Sequence, residues 1–383
     1  MQAGRPSQGE QNFRCLEGLR GYMAWCVVAS HAIGLTQTGD ELPRFMMLFV
    51  YGTKAVNEFI ILSGFVIAHL VLSKAEPYKP YIVRRGFRII PIYFACLLIA
   101  VLVPPVGVVV HTAAGIPEVA AAGPSPVAAH PWPYIWLHLT LLHGVVPDSI
   151  LPSSATAFLG PAWSLSLEWQ FYLVAPFIIW ALRKSIASQL VTTAILLGAY
   201  FVFTSEHFGQ QWKYPSMLFL SIHFFLIGML SRLWLDRLGK ASIWIGPALV
   251  IALACLLPNQ RWELSIWAVF YTAVFNERFA SALPGFLKVA LEWLTANRLI
   301  TTLGRVSYST YLIHLPLFSI VVLLGHRVFG VQGRVPTFVL VALAAATVIP
   351  VSFLLYGLIE RRFIRIGKRF HAPKQPVAVG EAA

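Results

Sequence analysis

The sequence predicts an all-α membrane protein, a polytopic helical bundle of about ten transmembrane helices. Its 383 residues are 57% hydrophobic and only 12% charged, well below the charged share of a soluble domain. The mean hydropathy is +0.70. Apolar stretches long enough to cross a bilayer recur along nearly the whole chain. The net charge of +13 does not call for nucleic acid, because an excess of Lys and Arg in cytoplasmic loops explains it.

In order, spans are expected at 18–36, 47–73, 87–110, 163–182, 187–204, 215–231, 242–257, 264–280, 302–324 and 336–358. The first carries Arg20 and His31 and follows Glu17, which is too polar for a signal-peptide core, so it is expected to be retained. The third follows Arg84, Arg85 and Arg88. The fourth opens on Trp163 and Ser164, which suit an outer interface, and ends at Arg183 and Lys184. The segment 104–162 is the longest outer stretch and contains no Lys or Arg. Its first half is rich in Pro, Ala and Gly and reads as an irregular loop. Within its second half, 132–145 reads as an interfacial or re-entrant helix.

With ten spans the termini share a side. Loops on that side hold most of the 29 Lys and Arg, and the opposite loops hold Arg44, Lys213, Arg261, Arg327 and Arg334. The asymmetry places both termini in the cytoplasm of a multi-pass inner-membrane protein. Residues 1–15 are a cytoplasmic tail, 16–363 the membrane domain, and 364–383 a second cytoplasmic tail, expected to be disordered beyond Phe370. Cys15, Cys26, Cys96 and Cys255 are scattered and lack ligand spacing, so no metal is expected.

Six places carry chemistry. Arg20 and His31 are eleven residues apart, about three helical turns, and share a face. Singly they read as a topological anchor and a buried histidine; together, with Glu17 beside Arg20, they read as a polar path. A neutral imidazole at that depth can take a proton from a hydroxyl. Arg84, Arg85 and Arg88 mark a cytoplasmic helix start. They are topological arginines or, since Arg85 and Arg88 share a face, a phosphate clamp. Glu168 enters the membrane just after an interface, where a carboxylate needs a partner or a function. Lys54 and Glu58 are spaced for an ion pair within one helix. Ser307, Tyr308, Tyr311 and His314 form one polar face of an apolar span. Glu360, with Arg361 and Arg362, reads as a surface cap of the last span or as a partner for an arginine near the mouth.

The ordered stretches LEGLRGYMAWCVVASH, LSGFVIAHL, RRGFRIIPIY, WSLSLEWQFYLVAP, GRVSYSTYLIHLPL and IERRF resemble the acyltransferase-3 family of integral membrane O-acyltransferases, from about Leu16 to Phe363. The resemblance implies transfer of an acyl group, typically acetyl, from cytoplasmic acyl-CoA to a hydroxyl. In that family the acceptors are glycans of lipopolysaccharide, exopolysaccharide, peptidoglycan or Nod factors, or macrolide antibiotics. It implies His31 as the catalytic residue, with Arg20 and Glu168 beside it. It assigns Arg85 and Arg88 to the acyl-CoA side, and Arg84 beside them is expected to join in binding the donor. Tyr308 and His314 fall in the family's late conserved span; with Glu58, Trp132, Trp136 and Trp163 they are expected to line the acceptor path or pore. Glu58 and Asn57 depart from the family pattern, which has an apolar residue at the first and often an acidic one at the second. The expected partners are acyl-CoA, a glycan or glycolipid acceptor and membrane lipids. A transporter or lipid flippase is the rival reading of the same buried ionisable groups, although no inverted repeat is evident.

Overall fold

The computed structural model describes residues 13–36, 51–73, 76–116, 126–209, 211–239, 243–279 and 283–370. The expectations for residues 1–12, 47–50 and the end of the chain beyond Phe370 lie outside them. No strand occurs among the described residues.

Helix α1 (Arg14–Thr36), α2 (Gly52–Ser73) and α3 (Tyr78–Leu102) come first, and α4 (Val106–Ala114) follows a short break. The small helices α5 (Pro126–Ala129) and α6 (Pro131–Leu139) precede α7 (Trp163–Lys184), α8 (Ile186–Thr204), the one-turn α9 (Glu206–Gly209) and α10 (Leu218–Leu238). The second half comprises α11 (Ile245–Leu256), α12 (Arg261–Phe279), α13 (Gly285–Ala296), α14 (Arg298–Arg305), α15 (Ser307–Phe329), α16 (Arg334–Leu355) and α17 (Arg361–Lys368). A π-turn, Tyr356–Glu360, joins the last two into one continuous helix. Among the described residues, seven helices are long and apolar enough to cross a membrane. The other three predicted spans coincide with α1, α11 and α12, which are shorter or carry more polar residues.

The segment after the third span departs from the expected loop. Pro104 forces Val103 to extended backbone (φ −117°, ψ 148°) and ends α3. The chain then re-enters a helix at once, because Val106–Ala114 is apolar and buries Val109, Val110 and Ala113 against α15 and α16. The Pro104 carbonyl, which the break frees, accepts from Ser319 Oγ at 2.6 Å. The predicted helix at 132–145 is α6, and it ends at Leu139. At the other end of the chain, residues 364–370 are not a free tail. Helix α17 packs on α3, where the Phe87 ring lies against Phe363 and Phe370.

Two helix pairs set the bundle's spacing. On the α2–α10 contact, a Cβ added at Gly228 would lie 1.9 Å from the Ile61 carbonyl oxygen, and one at Gly64 2.2 Å from that of Phe225. On the α1–α14 contact, a Cβ at Gly304 would meet the Glu17 carbonyl oxygen at 1.8 Å. Only glycine permits such backbone approach, the means by which membrane helices gain packing without a hydrophobic drive between them. These pairs fix α1 and α2 at the centre, with α15, α7 and α3 around them.

Candidate active site

Among the described residues, six helices line a cleft, α10 through Phe225 alone. From α3 come Arg85 and Arg88, three residues apart and therefore on one face. From α7 come Glu168 and Tyr172, a turn apart; the Tyr172 hydroxyl donates to Glu168 Oε1. Helix α1 supplies Arg20, α15 supplies Tyr308 and Tyr311, and α2 supplies Ser63, whose Oγ donates to Glu168 Oε1 at 3.4 Å. The Arg85 guanidinium lies 5.9 Å from the Tyr172 ring centroid, a cation–π distance. Arg20 is held by Glu17 at 2.7 Å. The buried Arg85 Nε and Tyr308 hydroxyl find no hydrogen-bond partner among the described residues. Such a set of donors suits an anion with several acceptor oxygens, as a phosphate has.

A second cleft lies further along α1. His31, Ser30 and Val27 line it with Tyr51, Lys54 and Asn57, and with Trp163, Tyr214, Glu263 and Tyr311. Trp163 stacks on Tyr214, with centroids 5.8 Å apart. His31 Nδ1 is 3.1 Å from the Val27 carbonyl oxygen and 3.1 Å from His314 Nε2. A carbonyl can only accept, so the hydrogen is assigned to Nδ1, and His314 Nε2 faces it as a second acceptor. That leaves Nε2 of His31 as the nitrogen with a lone pair. His314 is fully buried behind it.

The predicted residues therefore divide. Arg20, Arg85, Arg88, Glu168 and Tyr308 share the first cleft; His31 and Trp163 line the second, with His314 behind. Arg84 is not in either wall. It pairs with Glu76, both side chains largely buried. Glu58 lines neither cleft, and the expected Lys54–Glu58 pair does not form. Lys54 instead meets Glu263 of α12 at 3.6 Å, and Asn57 Nδ2 donates to the same carboxylate at 2.9 Å. Helix spacing permits the local pair, but Glu58 turns into the core, where it is wholly buried without a hydrogen-bond partner among the described residues. Trp132 and Trp136 also stand away from the clefts, 68% and 65% exposed on the outside of α6. Glu360 is no surface cap. The π-turn buries it to 3% exposure, and it accepts from Ser309 Oγ at 2.9 Å, in the field of Arg88 and Arg20.

Sequence reasoning overlooked Tyr172, Ser63 and Glu263 as site residues. Tyr172 was detectable, being one turn from Glu168 on the same helix. Glu263 lies one residue before the predicted span at 264–280, where nothing in the local pattern marks it, and helix α12 in fact begins at Arg261.

A cation-lined cleft and a histidine-lined cleft thus meet inside a membrane helical bundle. The chain belongs to the acyltransferase-3 family, whose acyltransferase-domain model matches residues 13–357. Acyltransferase MdmB of Streptomyces mycarofaciens is 25% identical over 341 residues, covering 82% of this chain and 80% of that protein. Nodulation protein 10 of Rhizobium leguminosarum bv. viciae is 24% identical over 372 residues, covering 90% and 94%. No solved structure matches this chain. The protein is thus a multi-pass membrane acyltransferase, and the transporter reading is set aside.

Proposed function

We propose that the protein moves a short acyl group, acetyl in the simplest case, from cytoplasmic acyl-CoA to a hydroxyl of a cell-envelope or exported glycan, in the inner membrane. One observation carries the reading: cations crowd one cleft and a histidine with an available nitrogen lines the other, while the two share part of their walls. Arg85 and Arg88 bind the phosphates of the donor, and Arg20 adds a third positive group, partly offset by Glu17. Trp163 and Tyr214 offer an aromatic surface of the kind on which a sugar ring stacks.

In the transfer step His31 Nε2 takes the acceptor O–H proton as the oxygen attacks the thioester carbonyl. The C–O bond forms and the C–S bond breaks. The CoA sulfur leaves with the electron pair and receives the proton, returning His31 to its neutral form. The Val27 carbonyl and His314 Nε2, both facing the Nδ1 hydrogen, favour the imidazolium while it lasts. General-base assistance of this type is worth about 10²–10⁴-fold.

The test is to delete the gene and compare envelope glycans by mass spectrometry. Loss of one acyl mass is expected, restored by the wild-type gene and not by His31→Gln, which keeps polarity and approximate bulk but is no base near neutral pH. Restoration by the Gln variant, at wild-type abundance in the membrane, removes His31 from the chemistry. An unchanged glycan profile on deletion overturns the acceptor class.

A further inference from the structure

The two clefts touch in a defined place. Among the described residues lining them, only Val56 of α2 and Tyr311 of α15 belong to both walls. Phe59, one turn further along α2 on the side of the cationic cleft, meets the Tyr311 ring edge-to-face with centroids 6.0 Å apart. We propose that Val56, Phe59 and Tyr311 form a rigid collar at the point of transfer and set the longest acyl chain the enzyme accepts. The proposal rests on the donor and acceptor sides assigned above.

Position comes first. Arg20 and His31 stand roughly 16 Å apart along α1, one in each cleft, so a donor anchored by the arginines must extend toward the collar to bring its carbonyl carbon near His31. The acceptor oxygen arrives from the other cleft. The carbonyl is attacked at the boundary, and the alkyl tail attached to it lies against the three side chains that make the boundary.

Rigidity comes second. Tyr311 is tied by two hydrogen bonds, with Ser164 Oγ at 2.7 Å and to the Pro161 carbonyl at 2.9 Å. Valine in a helix has essentially one side-chain rotamer, and Val56 is buried. Neither wall can swing aside cheaply, so extra methylenes meet fixed atoms. A hydrophobic pocket of fixed size discriminates about 10–200-fold per methylene. Chemistry comes third: the collar facing the tail is apolar, as selection among alkyl groups requires.

The experiment needs no acceptor. Full-length protein in detergent is titrated with CoA and with its non-reactive thioethers S-ethyl-CoA, S-butyl-CoA and S-octyl-CoA. For the wild type we expect similar affinity for CoA and S-ethyl-CoA, and at least tenfold weaker binding by S-butyl-CoA or S-octyl-CoA. Val56→Ala should move the fall-off to a longer chain and Val56→Ile to a shorter one, with CoA itself bound as before. The readout is a ratio within one preparation, so a variant that folds in lower yield still reports. Length profiles that coincide in all three proteins overturn the collar. If CoA does not bind the wild type, or binds the Arg85→Ala and Arg88→Ala variants equally well, the donor assignment falls instead, and the collar falls with it.

Discussion

Arg84, Arg85 and Arg88 leave α3 within about one turn, yet they stand in different surroundings. Arg85 and Arg88 line the cationic cleft, whereas Arg84 is spent on Glu76. Arg85→Ala and Arg88→Ala should each weaken CoA binding by about 10–100-fold, the loss of one charge-assisted contact of roughly 1.5–3 kcal/mol. Arg84→Ala should leave CoA affinity unchanged and lower thermal stability, because the largely buried Arg84–Glu76 ion pair is lost. Equal loss of CoA affinity in all three variants would contradict this division. His314 offers a second test. It touches His31 and lines neither cleft, so the expected role is to position His31. His314→Ala should lower kcat roughly tenfold or more with KM for acyl-CoA unchanged, and His314→Gln, which keeps an acceptor near His31 Nδ1, should recover part of it. A proportional rise in KM would place His314 on the donor instead. The motif residues were legible in sequence because each lies within one helical face. The misread Lys54–Glu58 pair shows the limit: periodicity names a possible partner four residues away and cannot weigh it against Glu263, which another helix brings closer.

At the scale of the element, the glycines separate packing from composition. Gly228→Ala should destabilise the α2–α10 contact by about 1–3 kcal/mol, the usual cost of overpacking, seen as earlier thermal unfolding in detergent. Gly198→Ala on α8, with open space around it, should not. The sequence alone does not distinguish the two. The outer segment gives a pH test. His138 and His143 stack with centroids 4.1 Å apart; His138 is held between the Tyr93 hydroxyl and the Ser154 carbonyl, and His143 faces the Ala162 carbonyl. Burial pushes His143 down to about 4 and, with His143 beside it, His138 to about 2. An unfolded histidine titrates near 6.5. Below that pH the unfolded chain binds protons that the folded pair refuses, so stability falls as pH drops from 7 toward 4. Thermal unfolding should therefore come earlier at pH 5 than at pH 7, and the His138→Gln/His143→Gln double variant should show a shallower dependence. An identical pH slope in both proteins would remove the pair as the cause. Nothing in the sequence pairs these histidines, since α6 and the turn after it bring them face to face.

For the whole molecule, the loop charges predict that both termini lie in the cytoplasm. In a Cys255→Ser background, Ser153→Cys between α6 and α7 should label with an impermeant thiol reagent in intact cells. Ser185→Cys, between α7 and α8, should label only after permeabilisation; both positions are exposed. The reverse pattern would invert the topology. The sequence by itself determined that this is a helical membrane bundle, roughly where its long apolar helices run, and which ionisable residues they carry, because hydropathy and helical period are properties of contiguous residues; it did not show α4 or α13. Only the tertiary structure decided that Arg20 and His31, on one helix, open into different clefts. It alone showed that Val56 and Tyr311 stand where those clefts meet, and that Glu360 is buried by a π-turn. Which face meets which neighbour depends on how each helix is rotated and shifted against helices far away in the chain. Those rotations are set by close contacts such as Gly228 on Ile61 and Gly304 on Glu17, and no local pattern encodes them.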